Sequence, residues 1–236
     1  MKKNLNKWVL SLVMAITLPA VSMAQDKVET SIGADIVSKY IWRGQDLGGV
    51  SIQPEASIAY KGLSLTAWGS IGIDSEDAKE LDLILAYETG NFSISLTDFW
   101  ALPDGEEFDY FEYGAHSTLH VLEAQIGYDF GIFSLNWSTN IAGADGVNEE
   151  GNRAYSSYVS VTAPFSLLGI DWEAEMGATP WSTDYYANAD GFTVCDLSLG
   201  ASKDIKITES YSLPIFAKAT YNPASENAYF SFGISF

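Results

Sequence analysis

Carboxylic acids recur at alternate positions in this chain. In Ile170-Asp171-Trp172-Glu173-Ala174-Glu175-Met176 every second residue is acidic, and the residues between are apolar. An extended chain sends these two sets to opposite faces, so Asp171, Glu173 and Glu175 share one face. Applying the same phase elsewhere adds Asp35, Glu55, Asp82, Glu88, Glu123 and Asp196 to the polar faces, with Lys39, Arg43 and Lys218 as the only bases among them. If those faces line one water-filled space, the acids concentrate cations and repel anions, so small cations or neutral solutes pass before anionic ones. An alternative reading pairs the acids and bases across a filled interior, where they hold shape rather than conduct.

Three further groups have residue types suited to chemistry. Lys39 and Arg43 lie four residues apart, about 13 Å along one strand by the usual rise, and could form a basic ladder facing acidic strands. Structural ion pairs would have the same sequence. Asp104, Glu106, Glu107, Asp109, Glu112, His116 and His120 form the one stretch resembling a metal site. Its hard oxygen ligands would suit calcium or magnesium, but the fixed spacing of an EF-hand loop is absent, so a solvated acidic loop is the favoured reading and no metal or cofactor is expected. Enzyme chemistry finds little support. Ser117 directly follows His116, an arrangement that does not readily make a nucleophile and base, and no G-x-S-x-G turn occurs.

The elements carrying these residues are extended. Period-two alternation marks about twelve strands, near residues 31–43, 51–60, 63–73, 80–88, 91–99, 118–129, 132–141, 154–164, 169–177, 192–202, 211–221 and 227–236. Links between them alternate in length. Lys61-Gly62, Thr89-Gly90 and Phe130-Gly131 are tight turns, while the links around 44–50, 74–79, 100–117, 142–153 and 178–191 are longer and more acidic. The segment 203–210 is unusually long for the tight-turn side. Tyr60, Tyr87 and Tyr128 each precede a tight turn in phase with the apolar face, as interfacial aromatics do. Trp42, Trp100, Trp137 and Trp181 fit a second girdle at the far ends, whereas the phase of Trp68 puts it on the polar face, where it could plug a lumen. Together these features predict an all-β fold: a single closed antiparallel transmembrane β-barrel with short turns at the periplasmic rim. A soluble β-sandwich or lipocalin-like barrel also alternates, but leaves the tyrosines and the unequal rims unexplained.

Residues 1–24 have the features of a secretory signal peptide: Lys2, Lys3 and Lys7, an apolar run from Trp8 to Leu18, and small residues ending at Ala24. Residues 25–236 then form one barrel domain without a recognisable linker. The whole chain carries 31 acids against 12 bases, a net charge of −19, which disfavours nucleic acid as a partner. Cys195 is its one cysteine, so no disulfide can form within the chain.

The last stretch, Tyr229-Phe230-Ser231-Phe232-Gly233-Ile234-Ser235-Phe236, resembles the C-terminal insertion signal of outer-membrane barrels, with Tyr229, Phe230, Phe232, Ile234 and Phe236 as its residues. The resemblance implies periplasmic chaperones and the barrel-assembly machinery as partners during biogenesis, and outer-membrane lipid afterwards. Ser38-Lys39-Tyr40-Ile41-Trp42-Arg43-Gly44 followed by Gln53-Pro54, with Leu213-Pro214 and Tyr221-Asn222-Pro223, is similar to segments that mark the TorF-type porins. That resemblance covers the first and last hairpins, and the middle of the chain only by pattern. It implies a bacterial outer-membrane channel for small solutes. The alternative is a non-conducting outer-membrane anchor or receptor that binds ligands through its acidic extracellular loops.

Overall fold

The structure, a computed structural model, describes residues 27–77, 79–103, 105, 107–115 and 117–236. The leader, Asp104, Glu106 and His116 lie outside the described residues. Among the described residues fourteen strands follow in chain order: β1 Glu29–Val37, β2 Tyr40–Trp42, β3 Gln45–Gly48, β4 Ser51–Tyr60, β5 Leu63–Gly72, β6 Lys79–Thr89, β7 Phe92–Leu102, β8 His120–Asp129, β9 Ser134–Gly143, β10 Ser157–Leu167, β11 Ile170–Thr179, β12 Thr193–Lys206, β13 Ser212–Asn222 and β14 Asn227–Ser235.

Twelve of them, β1 and β4 to β14, form one closed antiparallel barrel, and β2 with β3 forms a separate hairpin. Closure gives every barrel strand two neighbours. The closing seam is short. β1 pairs with β4 over nine residues but with β14 over three, Asp35–Val37 against Ser235–Gly233. Backbone bonds between Ala34 and Phe236, and from the Ser38 N–H to the Phe232 carbonyl at 2.8 Å, extend that seam at both ends.

The predicted alternation is realised strand by strand. Ile52, Ile58, Leu65, Leu85, Ile94, Ile126, Met176 and Leu199 point outward and are roughly half exposed, while Ser64, Thr66, Ser138, Thr162, Ser198 and Thr220 on the opposite phase are buried inside. Tyr60, Tyr87 and Tyr128 stand exposed next to the tight turns, and Phe230 and Phe232 project from the outer face of β14. The tight turns use left-handed backbone, as at Lys61 and Gly62 with φ of 50° and 85°, whose twist matches that of the strands.

Two boundary expectations are corrected. The first strand does not run through residue 43: it ends at Val37, and the chain turns inward to form the β2–β3 hairpin. Segment 203–210 is not a long link either, because β12 continues to Lys206 and leaves a short connection before β13.

Candidate functional site in the barrel lumen

The barrel interior is divided along its axis. Near the long-loop rim it is filled by an aromatic cluster containing Tyr40 and Trp42 from the hairpin, Trp68, Phe99 and Tyr158 from the wall, and Tyr186 from the 180–192 loop. Tyr40 lies against Trp68 with ring centroids 5.7 Å apart, and Trp42 meets Phe99 edge-on at 5.6 Å. Trp68 therefore lies in the lumen, as its phase indicates. Trp42 does not belong to an interfacial girdle: it is buried in the lumen because the strand that would have placed it outside ends five residues earlier. Trp100 is likewise no exposed girdle residue. It lies on the outer wall, covered by Phe108 and Tyr110 of the 103–119 loop, while Trp137 and Trp181 remain part-exposed and 5.8 Å apart.

Arg43 occupies the hairpin tip. Its φ is 48° and that of Gly44 is 76°, and this two-residue left-handed turn reverses the chain inside the barrel. Gly44 is required there, since a Cβ would stand 1.8 Å from the Cys195 carbonyl oxygen. The guanidinium makes a two-pronged pair with Glu123 at 2.5 and 2.8 Å, donates to Ser138 Oγ at 3.0 Å, and also donates to the Tyr186 hydroxyl. It lies 4.4 Å from the centroid of the Trp42 ring and 4.8 Å from that of Tyr158. Fork-shaped carboxylate pairing with aromatic faces is the setting in which arginine binds best.

Three further bonds hold the hairpin. Asn222 donates to the Gly44 carbonyl at 3.0 Å, Asp77 accepts the Gly49 N–H at 3.2 Å, and Lys39 pairs with Asp46 at 2.6 Å. The expected Lys39–Arg43 ladder is thus not formed. Lys39 stays within the hairpin and pairs locally, while Arg43 reaches the wall from a turn, because no strand carries both residues.

The predicted acids take inward positions on their strands. Asp35 on β1, Glu55 on β4, Asp82 and Glu88 on β6, Glu123 on β8, Asp171, Glu173 and Glu175 on β11, and Asp196 on β12 all lie on the phase opposite the exposed apolar residues, as does Lys218 on β13. They do not meet at one point. Glu123 belongs to the hairpin latch. Asp82 is fully buried behind the plug, with Glu80 beside it on the same phase, a residue the sequence reading missed although its alternation includes it. Asp35, Glu55 and Glu88 lie on β1, β4 and β6. Asp171, Glu173, Glu175 and Asp196 form a line from the short-turn rim toward the plug, with Lys218 reaching Glu175 at 3.3 Å. Below the Arg43 tip, a cavity of about 120 Å³ extends past Gln125, Asn136 and Thr162 and meets this line at Glu175 and Asp196.

Phe108, Tyr110 and Tyr113 of the long loop between β7 and β8 pack on the outside of the barrel. His120, on the outer face of β8, is buried beneath it, with Nδ1 2.7 Å from Asp98 and Nε2 2.6 Å from the Tyr110 carbonyl. Tyr113 donates to Asp98 at 2.7 Å and stacks on the imidazole. These bonds give His120 a tethering role in place of the metal role considered from sequence. Glu107 and Asp109 are exposed, and among the described residues no three His, Cys, Asp or Glu side chains converge to hold a metal ion. Glu112 accepts from Ser117 Oγ at 2.8 Å and the Gly114 N–H at 2.6 Å, and both bonds hold its carboxyl below the ordinary glutamate range. Comparison with protein-family models, with curated proteins and with solved structures returned no match.

Proposed function

We propose that this chain is an outer-membrane channel of porin type for small solutes, cations before anions, and that the β2–β3 hairpin holds it closed at rest. The observation that carries this reading is a closed barrel with an acid-lined cavity in its lumen, blocked above by a hairpin whose tip is held through Arg43 and the Gly44 carbonyl. An apolar outer band, tyrosines at one rim and unequal loop lengths support a bilayer location, reached through the leader and the insertion machinery of the outer membrane. Kinship with TorF-type porins, suggested by the first and last hairpins, belongs to the same proposal.

Recording in a planar bilayer under a salt gradient tests it. Wild-type protein is expected to give rare, small, cation-selective openings. The double variant Arg43→Ala/Glu123→Ala, which removes both partners and so leaves no lone buried charge, is expected to open longer and more often. Changing Asp171, Glu173 and Glu175 together to amides should weaken the selectivity. The competing reading, a non-conducting anchor or receptor that binds through its outer loops, is favoured by the filled upper lumen. Electrical silence in both wild-type and double-variant protein would decide for it.

A further inference from the structure

The line of acids on the inner wall has a regular geometry. Asp171, Glu173 and Glu175 alternate along β11, so their positions repeat about every 6.6 Å along the strand. Asp196 continues the line one step higher from β12, where it pairs in register with Gly177. A side chain at Gly177 would stand 1.9 Å from the Tyr158 hydroxyl. With only hydrogen there, Tyr158 fills the gap, and its hydroxyl lies 3.1 Å from Glu175 and 3.4 Å from Asp196. Ser198 donates to Asp196 from the same strand.

Two features point to a missing partner. Lys218 pairs in register with Gly200, which in turn pairs with Glu173, and its ammonium reaches Glu175. One ammonium thus faces a line of four carboxylates. Glu173 is only 7% exposed, and its Oε2 is buried without a hydrogen-bond partner. A carboxyl oxygen withdrawn from water and left unbonded is costly, so a donor arriving from outside would be favoured there.

The geometry also limits what that donor is. No three acids among the described residues converge on a point, so a single bare metal ion is not what the line fits. On β11 its acids are spread along the wall at the two-residue repeat, and the cavity beneath the plug gives room beside the upper end of the line.

We propose that Asp171, Glu173, Glu175 and Asp196 form a binding track for a linear organic cation carrying two or more ammonium groups spaced near the two-residue strand repeat. The cation enters from the short-turn rim, and its ammonium groups bridge successive carboxylates, one of them supplying the bond that Glu173 Oε2 lacks. This proposal rests on reading the lumen as a cation-favouring space, and names the class of cation.

Isothermal titration of the purified full-length barrel in detergent with 1,4-diaminobutane tests it, with butylamine and magnesium chloride as single-headed and metallic controls. The diamine is expected to bind measurably, with butylamine and magnesium each weaker by about tenfold or more, the order of one charge-assisted hydrogen bond. Glu173→Gln should weaken the diamine by about tenfold, and the exposed Asp171→Asn, which carries little risk to folding, by about threefold. Glu88→Gln, an inward acid away from the line, should leave binding unchanged. Equal binding of butylamine or magnesium, unaltered affinity in both Glu173→Gln and Asp171→Asn, or no diamine binding at millimolar concentration would each overturn the track. The titration needs no conduction. Diamine binding by an electrically silent protein would sink the channel and keep the track, and a conducting protein that ignores the diamine would do the reverse.

Discussion

Arg43 and Glu123 hold the plug through a pair in which the side chains are 12% and 2% exposed. Removing one partner of such a pair leaves a buried charge uncompensated, which typically costs about 3–5 kcal/mol. Arg43→Ala should therefore lower the temperature at which the folded barrel loses its distinct gel mobility, and the double variant Arg43→Ala/Glu123→Ala should recover part of that loss. A drop in the double variant as large as in the single one would mean that the pair is not what Arg43 contributes. Glu112 gives a prediction of opposite setting, since it lies at the surface of the outer loop. Bonds to its charged form depress its pKa in the folded loop, so the turn they stabilise is fully present above the ordinary glutamate range and is lost as pH falls through the lower folded value. A carboxyl NMR titration should find Glu112 titrating below the other exposed glutamates, and Ser117→Ala should move it back toward them.

At the scale of the element, the β2–β3 hairpin is the part whose presence in the lumen was hardest to foresee. Its strands are short, and Tyr40-Ile41-Trp42 continues the apolar and aromatic character expected of a first barrel strand. The local signal lay in Arg43-Gly44, a left-handed turn pair that an unbroken strand would not use. Similarly, Trp181, Tyr185 and Tyr186 made the 180–192 loop too aromatic for a purely solvated connection, and Tyr186 proves to be fully buried against the hairpin. Gly44→Ala would place a methyl group against the Cys195 carbonyl and strain the left-handed turn. The hairpin should then seat poorly, seen as faster proteolysis between residues 38 and 50 while the barrel itself keeps its gel mobility. Unchanged protease resistance would show that the hairpin does not depend on that close approach.

For the whole molecule, closure is the central property. A barrel with every strand paired on both sides resists detergent unfolding until heated, so unboiled protein should migrate differently from boiled protein on a gel. Identical mobility would remove the closed barrel in solution. The β1–β14 seam, with its short register, is where opening should begin, and backbone amides of β14 should exchange with solvent before those of β6 and β7. The sequence by itself determined the strands, their inward and outward faces and the two classes of link, because period-two alternation is a local property that each strand carries whether or not its neighbours are known. It also placed the acids on the inner wall, including the line on β11. What only the tertiary structure decided is where those faces meet: that Arg43 comes from a turn to reach Glu123 eighty residues away, that Trp42 is a plug residue, that His120 ties a loop to the outer wall, and that Asp196 extends the β11 acids. These are relations between segments distant in the chain, set by closure and register across the barrel, and no local period encodes them.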